Sequence, residues 1–179
     1  MKKFFFLVLL CAGFMVFSQK KLITKTGMVS FEASVPSFEE VKAKTASASC
    51  TLLLEKAEIM SLVPIKAFHF KVPLMQEHFN ENYMESNIFP KATFKGIIEN
   101  FDLSKLTATP QQHVIKGKIK LRGKSKKITM IAYIKKNADG IDIDSGFALD
   151  IADFGIDIPS IVSNKVSRKV NVKIDYTLK

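Results

Sequence analysis

Apolar and polar side chains alternate along much of this 179-residue chain, and this period of two most constrains how it can fold. The alternation is most regular over residues 170–178, where valine, isoleucine, tyrosine and leucine occupy every second position. It recurs over residues 114–121, 128–134 and 141–149. Successive side chains of a strand point to opposite faces of its sheet, so each segment is predicted to be a half-buried β-strand.

Turn signals separate these segments. Residues 137–140, Asn-Ala-Asp-Gly, form a strong hairpin signal because Asp-Gly tolerates the positive φ angles of tight hairpins. A second tight turn is predicted at residues 122–125. Roughly eight strands at short spacing predict an all-β fold, either a closed barrel or a sandwich. Closure would remove unpaired edge strands, but the alternation alone leaves both architectures open.

Residues 65–96 combine strand and helix signals. Phe68, Phe70 and Val72 alternate with polar residues, and a second aromatic strand begins at Ala92 after Pro90. Between the strands, apolar side chains recur every four residues from Met75 to Tyr83, with polar residues separating them. That spacing is typical of a short amphipathic helix, predicted near residues 74–86.

The sequence of this segment, IKAFHFKVPLMQEHFNENYMESNIFPKATFKG, resembles the YceI-like family of bacterial secreted proteins. The segment DFGIDIP at residues 153–159 resembles another element of that family, and the likeness spans about residues 25–178. It implies a single lipocalin-like antiparallel β-barrel that encloses a long isoprenoid lipid. The hairpin at 117–128 departs from the family pattern: Arg122 stands where a histidine is usual, and Ser125 replaces a threonine. No role of that histidine is therefore carried over.

Residues 1–18 are predicted to be a secretory signal peptide. Lys2 and Lys3 precede an apolar run over residues 4–17, which is too short to span a bilayer comfortably. A retained membrane anchor is the alternative, whereas lipoprotein processing at Cys11 is disfavoured because Leu10 stands where a small residue is wanted. The barrel is therefore expected to be one domain, residues 19–179, in the periplasm or outside the cell.

Without the predicted signal peptide, Cys50 is the only cysteine, so no intramolecular disulfide can form. It precedes a run of leucines in a predicted strand. A buried, inert thiol is expected, with a reactive thiol as the alternative.

The same truncation leaves 25 basic and 17 acidic side chains, a formal charge of +8. Six basic residues crowd residues 118–127 around the predicted turn. They form either a solvated hairpin end or a contact to anionic lipid headgroups of a membrane surface. Nucleic acid is not expected as a partner, since the protein is predicted to be secreted.

No catalytic motif emerges. The histidines are His69, His78 and His113, and Glu77-His78 lacks the second histidine of a zinc-binding helix. His78 is expected to hydrogen-bond where the helix meets the barrel, with a headgroup contact as the alternative. No nucleophile elbow or glycine-rich phosphate loop occurs, and the aspartates of residues 142–150 share a face expected to be solvated. We therefore expect a protein that is not an enzyme, without cofactor or metal.

The expected function is to bind a polyisoprenoid or other amphiphilic lipid in an apolar tunnel, for carriage or storage, with the helix as a possible lid. The alternative is a cell-envelope interaction module that uses the basic hairpin and has no lipid ligand. Glycines within strands often mark a bend or a close approach, as expected at Gly96 and Gly117. The predicted tunnel residues are Phe31, Leu52, Leu54, Phe68, Phe70, Met75, Phe79, Tyr83, Phe94, Ile98, Ile115, Ile119, Met130, Phe147 and Leu149.

Overall fold

The computed structural model describes residues 20–179, so the predicted signal peptide lies outside the described residues. Its nine strands are β1 (Lys21–Ser34), β2 (Lys42–Leu53), β3 (Glu58–Pro64), β4 (His69–Phe70), β5 (Lys91–Ile98), β6 (Gln111–Leu121), β7 (Lys124–Lys136), β8 (Ile141–Asp150) and β9 (Val166–Leu178). The helix α1 (Pro73–His78) continues as a π-helical turn over Phe79–Tyr83. Short 3-10 turns lie at Leu54–Lys56, Ile65–Ala67, Leu103–Lys105, Ile151–Phe154 and Ser160–Val162.

Eight strands close into an antiparallel barrel. Their order around the ring is β1-β9-β8-β7-β6-β5-β3-β2, and β2 pairs with β1 to complete it. The two-residue strand β4 adds to β2 beyond the end of β3. The barrel prediction is confirmed, and each strand has its alternating apolar residues turned inward.

The two ends of the barrel differ in their connections. One end, called the packed end, carries the connections at 54–57, 99–110 and 137–140. The other, called the mouth end, carries those at 35–41, 65–90, 122–123 and 151–165. The interior at the packed end is filled by side chains that have almost no solvent-accessible surface. They include Cys50, Leu52, Ile98, Ile134, Ile141, Ile143 and Leu178.

The wall is interrupted on one side of the mouth end. β7 and β8 pair only from Ala132 and Ser145 toward the packed end, so their mouth-end halves diverge. Where they part, the Ser145 hydroxyl donates to the Ile131 carbonyl oxygen at 2.7 Å and satisfies an acceptor that the ladder leaves free. The 3-10 turn at Ile151–Phe154 covers the gap, and the ring of Phe154 is buried there.

A hydrogen bond and an ion pair hold this covering turn in place. Arg122 donates to the Gly155 carbonyl oxygen, and Lys126 pairs with Asp153. Arg122 also contacts Glu85 at 2.7 Å, which links the covering turn to the segment after α1. Arg122 and Gly123 both adopt positive φ, as a two-residue hairpin turn requires.

The helix is shorter than the sequence predicts. The expected segment at 74–86 forms one α-helical turn and one π turn that together end at Tyr83. Pro73 occupies the first turn, where its missing N–H costs no hydrogen bond. Within residues 20–179, no helix is long and apolar enough to cross a membrane.

The Cys50 thiol is buried at the packed end, as expected. Burial raises its pKa to about 12, because an interior site disfavours the thiolate. We expect no reaction with a thiol-specific disulfide reagent at pH 8 in the folded protein, and complete reaction in denaturant. The absorbance of the released thiol measures both. Rapid labelling of the folded protein would contradict this expectation.

Candidate functional site

A cavity of about 530 Å³ occupies the mouth-end half of the barrel. Its walls come from every ring strand except β2, from α1 and from the connections at the mouth end. Nearly all lining groups are aliphatic or aromatic, and the packed end forms its floor. A volume of this size falls within the range of sites for small apolar ligands.

Four phenylalanines form one side of the upper cavity. Phe31 of β1 packs edge-on against Phe68 and Phe70, with ring centroids 5.2 and 5.7 Å apart, and stacks on Phe79 at 5.4 Å. Phe79 also lies 5.1 Å from Phe70 and 5.8 Å from Phe68. Aromatic pairs at such distances contribute about 0.5–1.5 kcal/mol each beyond their burial. This cluster therefore attaches the helical segment to β1 and β4.

One pair of hydroxyls lies deep in the cavity. The Ser61 Oγ and the Tyr176 Oη are 2.8 Å apart and hydrogen-bonded. Burial raises the pKa of the Tyr176 phenol, although the bond to Ser61 opposes the shift, so the group is neutral at physiological pH. The Tyr176 ring lies against Gly27, where an added Cβ would come within 2.5 Å of it. The pair offers a neutral hydrogen-bonding group next to an otherwise apolar floor.

The ring of Phe94 shapes another wall. It lies over Gly96 and Gly117, which face each other across β5 and β6. A Cβ on Gly96 would come within 2.7 Å of the ring. The close approach expected at these two glycines is thus made by an aromatic side chain, which covers the backbone that they expose.

Polar groups reach the cavity at its opening. Glu39, His78, Lys165 and Ser167 line the mouth together with Phe38. The His78 ring is exposed and makes no hydrogen bond to any of residues 20–179, so the hydrogen bond expected at the helix junction is not found. The opening therefore has a mixed polar and apolar rim, above a largely apolar interior.

The structure brings most of the predicted tunnel residues together around this cavity. Three lie elsewhere: Leu52 and Ile98 are buried in the packed end, and Leu54 packs beside them. The residues that line the cavity are Phe31, Phe68, Phe70, Met75, Phe79, Tyr83, Phe94, Ile115, Ile119, Met130, Phe147 and Leu149. That any of them contacts a ligand stays a prediction.

Other lining residues were missing from the sequence prediction. They are mostly on β1, β3 and β9, and include Val29, Ile59, Ser61, Val63, Val172, Ile174 and Tyr176. The alternation in β9 placed its apolar residues on one face, which would have sufficed to nominate them. Ser61 carried no such signal, because a serine between apolar neighbours reads as an outward-facing residue.

The described residues bring no catalytic group together. Within residues 20–179, no three histidine, cysteine or acidic side chains lie close enough to hold a metal ion. Asp142, Asp144 and Asp150 point away from the cavity, on the outer face of β8. The arrangement is suited to enclosing an apolar molecule.

Known proteins share this architecture. The sequence model of one family, the YceI-like domain, matches residues 21–178. No curated protein matches the sequence. A polyisoprenoid binding domain from Saccharophagus degradans, implicated in plant cell wall breakdown, has a similar fold; its TM-score is 0.74 at 13% identity, covering 88% of this chain and 95% of that one.

Two further solved structures share the fold. Burkholderia cenocepacia BcnA gives a TM-score of 0.67 at 16% identity, covering 85% of this chain and 94% of its own. A YCEI protein from Campylobacter jejuni gives 0.59 at 16% identity, covering 79% and 87%. Likeness at these identities establishes the fold of the barrel.

Proposed function

This chain belongs to the family of YceI-like domains, and we propose that its barrel binds a polyisoprenoid or a similar long apolar lipid for carriage or storage. The observation that carries this proposal is the apolar cavity of about 530 Å³, open at one end and closed at the other. The solved relative from Saccharophagus degradans, which is described as a polyisoprenoid binding domain, supports the ligand class.

The chemistry of the lining fits such a lipid. A polyisoprenoid chain presents methyl and methylene groups and almost no hydrogen-bonding atoms, so apolar walls leave nothing on it unsatisfied. The phenylalanine cluster and Met75 and Met130 offer surfaces that adapt to methyl branches. Shape and length, rather than polar contacts, then determine which chains bind.

The energetics require a long ligand. Transfer of about ten methylene groups from water is worth about 8 kcal/mol at about 0.8 kcal/mol each. Association costs of about 4–15 kcal/mol offset much of this gain. A short apolar molecule would therefore bind weakly, and a chain that fills the cavity is the favoured ligand.

The ligand passes through the mouth end, and α1 acts as its lid. Phe79 attaches this segment to β1 and β4 through the aromatic cluster, so opening must separate the Phe31–Phe79 stack. A protein of this kind would act in the periplasm or outside the cell, as the predicted signal peptide suggests.

Native mass spectrometry of the protein, exported by a bacterial host and gently purified, tests the proposal. We expect a stoichiometric adduct that organic extraction releases as an isoprenoid lipid. A ligand-free protein that also fails to take up added polyprenyl lipids would refute the proposal. It would favour the alternative of an envelope interaction module without a lipid ligand.

A further inference from the structure

Large apolar side chains are exposed unevenly over the barrel. Eight are strongly exposed in residues 20–179, and half of these belong to connections at the mouth end. They are Phe38 at 43% exposure, Leu74 at 58%, Ile88 at 70% and Ile161 at 84%. None of the eight lies in a connection at the packed end. Exposed leucine and isoleucine side chains gathered at one end of a molecule mark an interaction surface.

These four side chains come from three separate connections around the cavity opening. Phe38 lines the mouth itself, and Leu74 and Ile161 are sequence neighbours of the lining residues Met75 and Val162. A lipid bilayer accepts such side chains at any spacing, since its interior requires no complementary shape.

Positive charge lies on the adjoining outer wall. Lys95, Lys118 and Lys127 stand directly opposite one another on β5, β6 and β7. Like charges in this arrangement repel, which weakens the sheet. Within the described part of the chain, Lys118 and Lys127 have no acidic partner, whereas Lys95 pairs with Glu58 at 3.0 Å. An anionic partner would relieve this repulsion.

These lysines are close enough to the mouth end to attract an anionic surface that lies against it. Lys120 is two residues from the hairpin turn, and Lys118 is four, which is about 13 Å along the strand. Strand tilt shortens this to a height of about 10 Å, comparable to the Debye length of about 8 Å at physiological ionic strength. The mouth-end connections themselves carry seven acidic and four basic side chains, so they cannot supply the attraction. The wall therefore supplies the electrostatic attraction and the loops supply the apolar contact.

We propose that the mouth end docks on a phospholipid bilayer with anionic headgroups, with Phe38, Leu74, Ile88 and Ile161 entering the interface. Docking in this orientation places the cavity opening against the membrane, so that an apolar ligand moves between bilayer and barrel without crossing water. This inference rests on the proposed function, which it extends by assigning the source of the lipid and the surface that receives it.

Vesicle sedimentation of residues 20–179, which contain the whole closed barrel, tests the docking. We expect binding to phosphatidylcholine vesicles that contain phosphatidylglycerol. Ile161→Asn should weaken it about tenfold, which corresponds to about 1.4 kcal/mol, and Leu74→Asn with Ile161→Asn should weaken it further. The matched control is Ile131→Asn, which removes an isoleucine of 46% exposure from the outer wall and should leave binding unchanged. Thermal unfolding of each variant confirms that the fold is retained.

Charge reversal separates the electrostatic part. Lys118→Glu with Lys127→Glu should lower binding to the anionic vesicles but not to vesicles of phosphatidylcholine alone. Lys56→Glu with Lys136→Glu, both at the packed end, is the control with the same change of charge. Equal effects of Ile161→Asn and Ile131→Asn, or no vesicle binding, would overturn the docking. So would a dimer that Ile161→Asn converts to a monomer, since the surface would then join two copies.

Uptake of a polyprenyl lipid in vesicle-free solution distinguishes the docking proposal from the proposed lipid-binding function. If the protein takes up the lipid but does not bind vesicles, the docking is disproved and the proposed function stands. A protein that binds vesicles but takes up no polyprenyl lipid retains the docking surface and disproves the proposed function.

Discussion

Val63→Trp is expected to abolish lipid uptake while leaving the barrel folded. Val63 points into the cavity from β3, two residues beyond Ser61, so an indole at this position occupies space that the ligand needs. Because the cavity is about 530 Å³, the larger ring enters existing space rather than the packed core. We expect the affinity for a polyprenyl lipid to fall more than about 100-fold, as measured by uptake of a fluorescent polyprenyl probe.

Leu62→Trp provides the matched control. Leu62 is next to Val63 on the same strand but points away from the cavity, so the same indole there should leave uptake unchanged. Thermal unfolding should show both variants folded. Undiminished uptake by a folded Val63→Trp protein would show that the ligand binds outside the cavity.

Gly117→Ala should destabilise the barrel strongly. A Cβ at this position would lie 2.5 Å from the Lys95 carbonyl oxygen and 2.7 Å from the Gly96 Cα. Both atoms belong to the paired strand β5, so relief requires the β5–β6 ladder to shift. We expect the free energy of unfolding in urea to fall by about 3 kcal/mol or more.

Gly146→Ala is the control within the same barrel. The nearest atom to an added Cβ there is the Val172 carbonyl oxygen at 3.9 Å, an ordinary contact. Its unfolding free energy should stay unchanged or rise by about 0.5 kcal/mol, because alanine restricts the unfolded chain. Equal effects of the two substitutions would mean that strand entropy rather than steric contact decides the outcome.

The strands and their faces followed from the sequence because a period of two is a local property. Ile115 and Ile119 of β6, and Ile143 of β8, face inward as their spacing predicts. The tight turn at Arg122–Gly123 was also predictable from its glycine, although its two-residue form was not. Closure of the ring was not readable from the alternation, since a sandwich has the same pattern. The resemblance to a family supplied that choice.

The sequence could not predict how deep along the barrel axis each inward-facing residue lies. Leu52 and Ile98 share the inward face with Phe31 and Ile119, yet they fill the packed end and do not line the cavity. The distinction depends on stagger between strands, which is set by pairing across the whole ring. For the same reason the Ser61–Tyr176 bond joins residues 115 positions apart that no local pattern connects.

The divergence of β7 from β8 could not be predicted from the sequence either. β7 and β8 alternate without interruption, and only the structure shows that their mouth-end halves do not pair. Arg122 stands where a histidine is usual in the family, and it has a structural role in this barrel. Its guanidinium contacts both Glu85 and Gly155. Such long-range contacts follow from tertiary arrangement and leave no periodic trace in the chain.

The closed floor of the cavity limits how affinity can depend on chain length. Each added isoprene unit buries about five further carbon atoms, worth about 4 kcal/mol of transfer free energy before other costs, for as long as it stays above the floor. Once the chain reaches the level of Ser61 and Tyr176, additional units remain outside the barrel and contribute no burial there. Affinity should therefore rise steeply over a series of homologous lipids and then level off. The length at which it levels off gives the depth of the cavity in isoprene units.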